Sequence, residues 1–439
     1  MKFADGRHGL FRRGIAVTLL SGIFLVGCAS TPPPSDFNPA TINEVRLLDR
    51  AQSLHDDDVR VTAAVPSAEE TLALFGADLY EREIQPIWVK VENHSDKTHY
   101  LIINSADPNH FSPVEASYLV NGSLGKHEQE QRERHFRSMN FRNPIPPNTA
   151  VSGFIHTNLD EGEKIVQVDL LAHETAKSFT FFVDVPGIQV DYRLVDLEHL
   201  YPAEDVRDLD IDDLRAALEK LPCCTMDRAG ANEGDPLNLV VIGDFKEVAA
   251  AFARRGWLPA EETYSTAVWK TVKSFLFGTR YRYSPVSPLY FSGRQQDMAR
   301  QKPRHSIHER NHLRLWLTPL RFQGKPVFIG QISRDIGVRF TTKVWPPVTH
   351  RIDPDIDEAR QSVIEDLLSA HTISKFGFVK GVGAATPSKP RANLTGDPYF
   401  TDGLRAVILL EPGPISPGQI QSLGWEFPGV LCIGSGCVD

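Results

Sequence analysis

The sequence predicts a multidomain chain, an N-terminal all-β immunoglobulin-like sandwich followed by an α+β domain with a mainly antiparallel sheet. Three observations carry that prediction. Between Ile84 and Gly187, short alternating apolar runs recur, separated by Asn, Asp, Pro and Gly. Between Leu237 and Leu410 the patterns follow the order β, α, α, β, β, β, α, β, which lays helices on one face of a sheet. Within that second region, one long hairpin alternates with matching faces on both arms. A chain of 439 residues exceeds one ordinary core, and two to three domains are expected.

The first thirty residues stand apart. Lys2, Arg7, Arg12 and Arg13 precede an apolar run from Gly14 to Val26. That run is shorter than the roughly 20 residues a spanning helix needs, so it reads as an export signal. Leu25-Val26-Gly27-Cys28 resembles the lipobox of bacterial lipoproteins, which implies cleavage before Cys28 and acylation of that residue. Several acyl chains would anchor stably, at about 0.8 kcal/mol per buried methylene. Ala29 stands where an Asp would resemble inner-membrane retention, so the expectation is an outer-membrane lipoprotein on the periplasmic face, with surface exposure left open. Its partner is then the membrane, through the lipid anchor. Removing residues 1–27 leaves 43 basic and 55 acidic side chains, a net charge near −12. That balance argues against nucleic acid.

Residues 28–58 open Thr31-Pro32-Pro33-Pro34 and read as a tether, with at most one short helix near Ile42 to Leu54. Val59 to Val65 alternates as a strand. Ser67 to Glu70 is a capping box, and Gly76 stops the helix it opens. The sandwich, residues 59–190, takes strands at Ile87–Asn93, Tyr100–Ile103, Val151–Ile155, Ile165–Leu170 and Phe179–Val183. A helical interruption runs from Pro113 to Val120 and on toward Phe136. The charged run Lys126 to Arg137 reads as a solvated helix face or loop. Residues 191–233 form a linker with a helix over Ile211–Glu219, the Cys223-Cys224 pair and a hinge at Gly230–Gly234, where the domain boundary is placed.

The α+β domain, residues 234–412, begins with a buried strand, Leu237–Ile242, and a helix, Phe245–Arg255. A second helical stretch, Thr266–Leu276, and a strand near Leu289–Ser292 lead to the hairpin. From His308, one face carries Arg310, His312, Arg314 and Trp316, the other Leu313, Leu315 and Leu317. A turn at Gln323-Gly324 pairs Leu315 with Ile332 and His312 with Asp335. The leucine face lies under helices; the Arg/His face looks at solvent, the first domain or a ligand. Arg334 falls on the leucine parity, so either the register slips or Arg334 is buried with a partner. A helix from Pro354 to about Ser369 and a strand, Leu404–Leu410, precede a Pro/Gly-rich tail, residues 413–439.

Besides Cys28 there are Cys223, Cys224, Cys432 and Cys437, an even set that suggests disulfides with three connectivities. Adjacent cysteines pair under strain, so one arrangement sends Cys223 and Cys224 each to a tail cysteine. Gly234-Asp235-Pro236-Leu237-Asn238-Leu239-Val240-Val241-Ile242-Gly243, His312-Leu313-Arg314-Leu315-Trp316, Ser333-Arg334-Asp335-Ile336-Gly337 and His350 through Asp357 together resemble the LssY C-terminal domain family. The resemblance covers roughly residues 230–412. It implies a bacterial, membrane-associated context; some members carry this domain behind a membrane-embedded phosphatase of the phosphatidic acid type, a region this sequence lacks.

Two readings of the polar residues stay open. His312, Arg314 and Asp335 form cross-strand charge pairs on a wet face, or Arg310, Arg314 and Arg334 recognise an anionic envelope group, for which guanidinium forks are suited. Asp353, Asp355 and Asp357 suit the N-cap and first turn of a helix starting at Pro354. The sharper alternative is a metal held by His350, Asp353 and a hairpin His, with Asp355 and Asp357 nearby, although no HExxH or EF-hand spacing supports it. For an enzyme, His312, His350 and Asp335 are the catalytic candidates. GxSxG, GxxxxGK[ST] and GxGxxG are absent, no cofactor is expected, and a binding or structural module is the leading expectation, with an envelope hydrolase as the alternative.

Overall fold

The structure, a computed structural model, describes residues 38–429 apart from 123, 188–189, 191, 193–194, 261–286, 304–308 and 341–347. Cys28, Cys432, Cys437, His308 and the helix expected at Thr266–Leu276 lie outside the described residues.

Chain order builds the sandwich first. Residues 42–56, expected within the tether, form two 3-10 turns and strand β1 (Gln52–Asp56), and Leu47 in the second turn is fully buried. β2 (Val59–Ala64) pairs with β1 in an antiparallel hairpin. Helix α1 (Ala68–Phe75) opens on the expected capping box: Ser67 Oγ accepts from Glu70 N at 3.2 Å while Ser67 N donates to Glu70 Oε2 at 2.8 Å. Gly76, at φ 61°, closes it in the left-handed region. β3 (Ile84–Asn93), β4 (Tyr100–Ile102), the short α2 (Ile103–Ala106), α3 (Pro113–Leu119), α4 (Lys126–Met139), β5 (Thr149–Asn158), β6 (Glu163–Ala172) and β7 (Thr175–Asp184) complete the region.

Two antiparallel sheets result, ordered β1-β2-β3-β5 and β4-β6-β7. Alternate residues of both, among them Val61, Val89, Val168 and Phe181, meet in one core. The charged run is helix α4, which buries Arg132 and Phe136 on its inner side. Phe136, Phe75, Phe154 and His156 form a second cluster under α1.

The second region takes β8 (Arg207–Leu209), α5 (Ile211–Lys220), β9 (Cys224–Met226), β10 (Glu233–Pro236), β11 (Leu239–Ile242), α6 (Phe245–Ala253), β12 (Leu258–Pro259), β13 (Tyr290–Phe291), β14 (Arg294–Gln295), β15 (Met298–Pro303), β16 (Arg310–Phe322), β17 (Lys325–Phe340), β18 (Val348–Ile352), α7 (Ile356–Ser369), β19 (Ile373–Lys380), a small ribbon of β20 (Arg391–Ala392) and β21 (Pro398–Tyr399), β22 (Leu404–Leu410) and β23 (Gln421–Ser422). Gly230–Gly234 lie in the hairpin of β9 and β10. The main sheet runs β12-β15-β16-β17-β11-β22-β19-β23, with β8 on β16 and β18 on β17; β11 and β22 are parallel, as are β8 with β16 and β19 with β23.

Both faces of this sheet are covered. Leu313, Leu315, Leu317, Phe328 and Ile332 pack under α6 and α7, as the leucine parity requires. Trp316, Ile329, Val240 and Val407 on the opposite face pack under Leu214 and Leu218 of α5, with Phe291 of a small sheet ordered β10-β9-β13-β14. The expectation of helices on one face is therefore corrected: the apolar alternate residues at the middle of the Arg/His face demand a cover of their own. The sandwich meets this region through Arg254, whose Nη1 lies 3.2 Å from Asp169 Oδ2, and through Tyr192, which packs on Phe245 and bonds Glu163.

Candidate functional site

The site is built on the β16–β17 hairpin. Gln323 and Gly324, both at positive φ (54° and 74°), make the two-residue turn that the sequence marks. Next to the turn the register is the expected one, with Phe322 opposite Lys325 and Arg321 opposite Pro326. Between Leu317 and Arg321 the ladder slips by two residues, so that Leu313 faces Ile332 and His312 faces Ser333 rather than Asp335. Pro319 sits in that interval and has no N–H for the ladder; Thr318 Oγ1 donates to Val327 O and accepts from Leu320 N in its place. Parity survives a shift of two, so the two faces keep their residues.

The Arg/His face is not wet. Arg310, His312 and Arg314 are buried, at 3, 9 and 7% exposure, and Asp335 is at 4%. Exposed cross-strand pairs are thereby replaced by a desolvated polar cluster, where each missing hydrogen bond costs about 1–3 kcal/mol. His312 reaches Asp335 diagonally despite the slip: Nε2 lies 2.6 Å from Oδ2. His350, on the neighbouring β18, places Nδ1 3.3 Å from the same oxygen, and the two imidazole centroids are 6.3 Å apart. The three residues that the sequence offers as catalytic candidates thus share one carboxylate. His350, 44% exposed at its side chain, forms the cluster's solvent-facing rim.

Guanidinium groups flank this triad. Arg314 donates from Nη1 to Gln331 Oε1 at 2.6 Å and from Nη2 to Ser287 O at 3.0 Å; Arg310 donates to Gln301 Oε1 at 2.7 Å. Burial pulls Arg310 down to about 10, with Asp335 opposing, and moves Arg314 in the same direction against Asp235 and Asp335. For Asp335, desolvation favours the neutral acid, but His312, His350 and Arg314 outweigh it and hold the carboxyl below its usual value. Asp235 goes the other way. Burial pushes its carboxyl up, although Arg314 and the amide of Asn393, 3.1 Å away, favour the anion.

Two polar atoms at this place lack partners among the described residues: Nδ1 of His312 and Nε2 of Gln331, both shielded from water. With Nε2–H given to Asp335, a neutral His312 presents a lone pair at Nδ1; Gln331 presents an amide donor. Asp235 and Gln331 were not singled out by sequence. A Gln interrupting the apolar stretch Val327–Ile332, and an Asp opening the buried run at Leu237, were the available signals.

The remaining candidates separate. Arg334 lies at the open end of the leucine face, half-buried, with long contacts of 3.4 Å to Asn311 Oδ1 and 3.5 Å to Glu358 O, apart from Arg310 and Arg314. Asp355, not Asp353, caps the helix, which starts at Ile356 rather than Pro354. Pro354 lies outside the helix, its carbonyl accepting from Phe400 N at 2.8 Å. Asp353 accepts from Asp355 N, and Asp357 accepts from Thr401 Oγ1 and Asp402 N. His350 and these three carboxylates do not converge to metal-binding distance. Among the described residues, the side chains that do so are Cys223, Cys224 and Glu233. Cys223 and Cys224 are joined to each other, not each to a tail cysteine.

Comparison with curated proteins gives no match. Residues 217–404 match the family model described as LssY C-terminus, a span that takes in the vicinal cysteines, the hairpin, His350 and α7. The hairpin that carries the polar cluster therefore belongs to an LssY C-terminal-like domain, which this chain carries over residues 217–404.

Proposed function

We propose that the chain is a lipid-anchored cell-envelope protein whose LssY C-terminal-like domain binds a ligand bearing an anionic group at the His312–Asp335–His350 cluster. The observation that carries this reading is the pair of shielded, unpartnered atoms, His312 Nδ1 and Gln331 Nε2, set among Arg310 and Arg314. Asp235, which faces the Arg314 guanidinium, is drawn toward its neutral form by burial and so answers that charge only in part. An anion accepting from Gln331 Nε2 and from an N–H at His312 Nδ1 supplies the missing acceptors and a negative charge beside Arg314. A lipid phosphate and an envelope glycan acid share that chemistry. The anchor rests on the lipobox resemblance ending at Cys28 and places the domain at the outer membrane's periplasmic face.

The test is nitrogen-15 NMR of the histidine rings during titration with inorganic phosphate and, separately, glucuronate. Saturable shifts of His312 and His350 that disappear in Gln331→Leu support the reading and tell the two acids apart; no shift with either anion overturns it.

A second reading rests on the same geometry. A carboxylate-oriented imidazole with a free ring nitrogen is the arrangement of a general base, which favours hydrolysis over simple binding. Asp335→Asn separates the two: it strengthens anion binding in a binding site and abolishes turnover of p-nitrophenyl phosphate or p-nitrophenyl butyrate in a hydrolase. Absence of turnover of both esters by the unaltered chain removes the second reading.

A further inference from the structure

The vicinal pair Cys223–Cys224 lies apart from the proposed function and has its own chemistry. Three features of its surroundings converge. Arg391 directs Nη2 at both sulfurs, 3.2 Å from Cys223 Sγ and 3.0 Å from Cys224 Sγ. The same nitrogen lies 2.9 Å from Glu233 Oε2, across the β9–β10 hairpin. The sulfurs differ in access: Cys224 is 2% exposed, while Cys223 is only partly covered. A guanidinium in that position stabilises sulfur as thiolate, the form that leaves and attacks in exchange. It also sits where a cation ligated by the two sulfurs and Glu233 would experience like charge, so the surroundings favour electron transfer over metal binding.

We infer that Cys223–Cys224 is a two-electron thiol–disulfide exchange site whose reaction partner is an external dithiol, with Arg391 as the group that positions and stabilises the leaving thiolate. A thiolate of the dithiol attacks Cys223 Sγ, and the electron pair of the Cys223–Cys224 bond departs on Cys224 Sγ beside Arg391. The dithiol's second thiolate then attacks its own sulfur in the mixed disulfide and releases Cys223 as thiolate. The partner leaves as a disulfide, the chain holds two more electrons, and the two protons lost by the dithiol pass to the new thiolates or to water.

Trypsin cuts after Lys220 and Arg228, so peptide 221–228 contains both cysteines and nothing else that exchanges; residues 406–439 form one peptide holding Cys432 and Cys437. The full chain is treated with dithiothreitol for set times, quenched with acid, alkylated, digested and weighed. Peptide 221–228 should arrive two hydrogens light before reduction and doubly alkylated after it. In Arg391→Met, reduction should slow about tenfold, as a poorer leaving thiolate requires. In Glu233→Gln, at an exposed position, release of Nη2 from the competing carboxylate should make it faster. Double alkylation without reductant, a cross-link between 221–228 and 406–439, or wild-type rates in both variants overturns the inference.

Discussion

His156 should make the sandwich acid-sensitive through one residue. It is completely buried between Phe75 and Phe136, its ring stacked on Phe136 at 5.5 Å and 10°, and neither ring nitrogen has a hydrogen-bond partner among the described residues. Desolvation pulls it from 6.5 to about 3. In the unfolded chain it titrates near 6.5. The unfolded state therefore binds the proton first as pH falls, and stability is lost from pH 6.5 downward until the folded form also titrates near pH 3. At pH 4.5 the loss is about 2.7 kcal/mol, growing by ~1.4 kcal/mol per pH unit over that window. The assay is urea unfolding of wild type and His156→Phe between pH 7 and 4, read by tryptophan fluorescence, since Trp88 lies in the same cluster. Phenylalanine changes packing by an amount independent of pH, so the difference between the two curves isolates the proton. Parallel curves below pH 6 would refute the reasoning.

Other expectations follow from single side chains. Arg405 is fully buried and gives its guanidinium to the carbonyls of Leu218, Leu221, Pro222, Leu237 and Gly381; Arg405→Lys should cost about 3 kcal/mol or more, seen as a lower urea midpoint. Arg334→Ala, by contrast, removes only long, half-exposed contacts and should change stability by under about 0.5 kcal/mol in the same measurement. Cys28→Ala should move the protein from the membrane fraction to the soluble one and abolish labelling by radioactive palmitate.

Much of this architecture could be read from residue order. The capping box at Ser67, the strand at Leu404–Leu410 and the hairpin turn at Gln323-Gly324 are local, and local chemistry decided them. The hairpin's register could not be carried past Pro319 by counting, because a bulge changes the sum of paired positions while leaving parity intact. The same limit explains the misjudged face. Alternation says that Arg310, His312 and Arg314 share a side, but not that α5 and a second sheet, from residues 211–236 and 290–295, close over that side. His350 and Asp335 were brought together by β18 pairing on β17, a long-range choice that no spacing announces.

The parallel pairing of β11 with β22 sets the order in which this domain can be made. Leu239 must wait for Ala406, and Ile242 for Leu409, so the middle of the sheet stays open until residue 409 has been made. A newly made chain thus cannot close its central ladder early. It also means that a fragment trimmed to residues 217–404 would stop where β22 begins, leaving β11 and β19 without the strand that joins them.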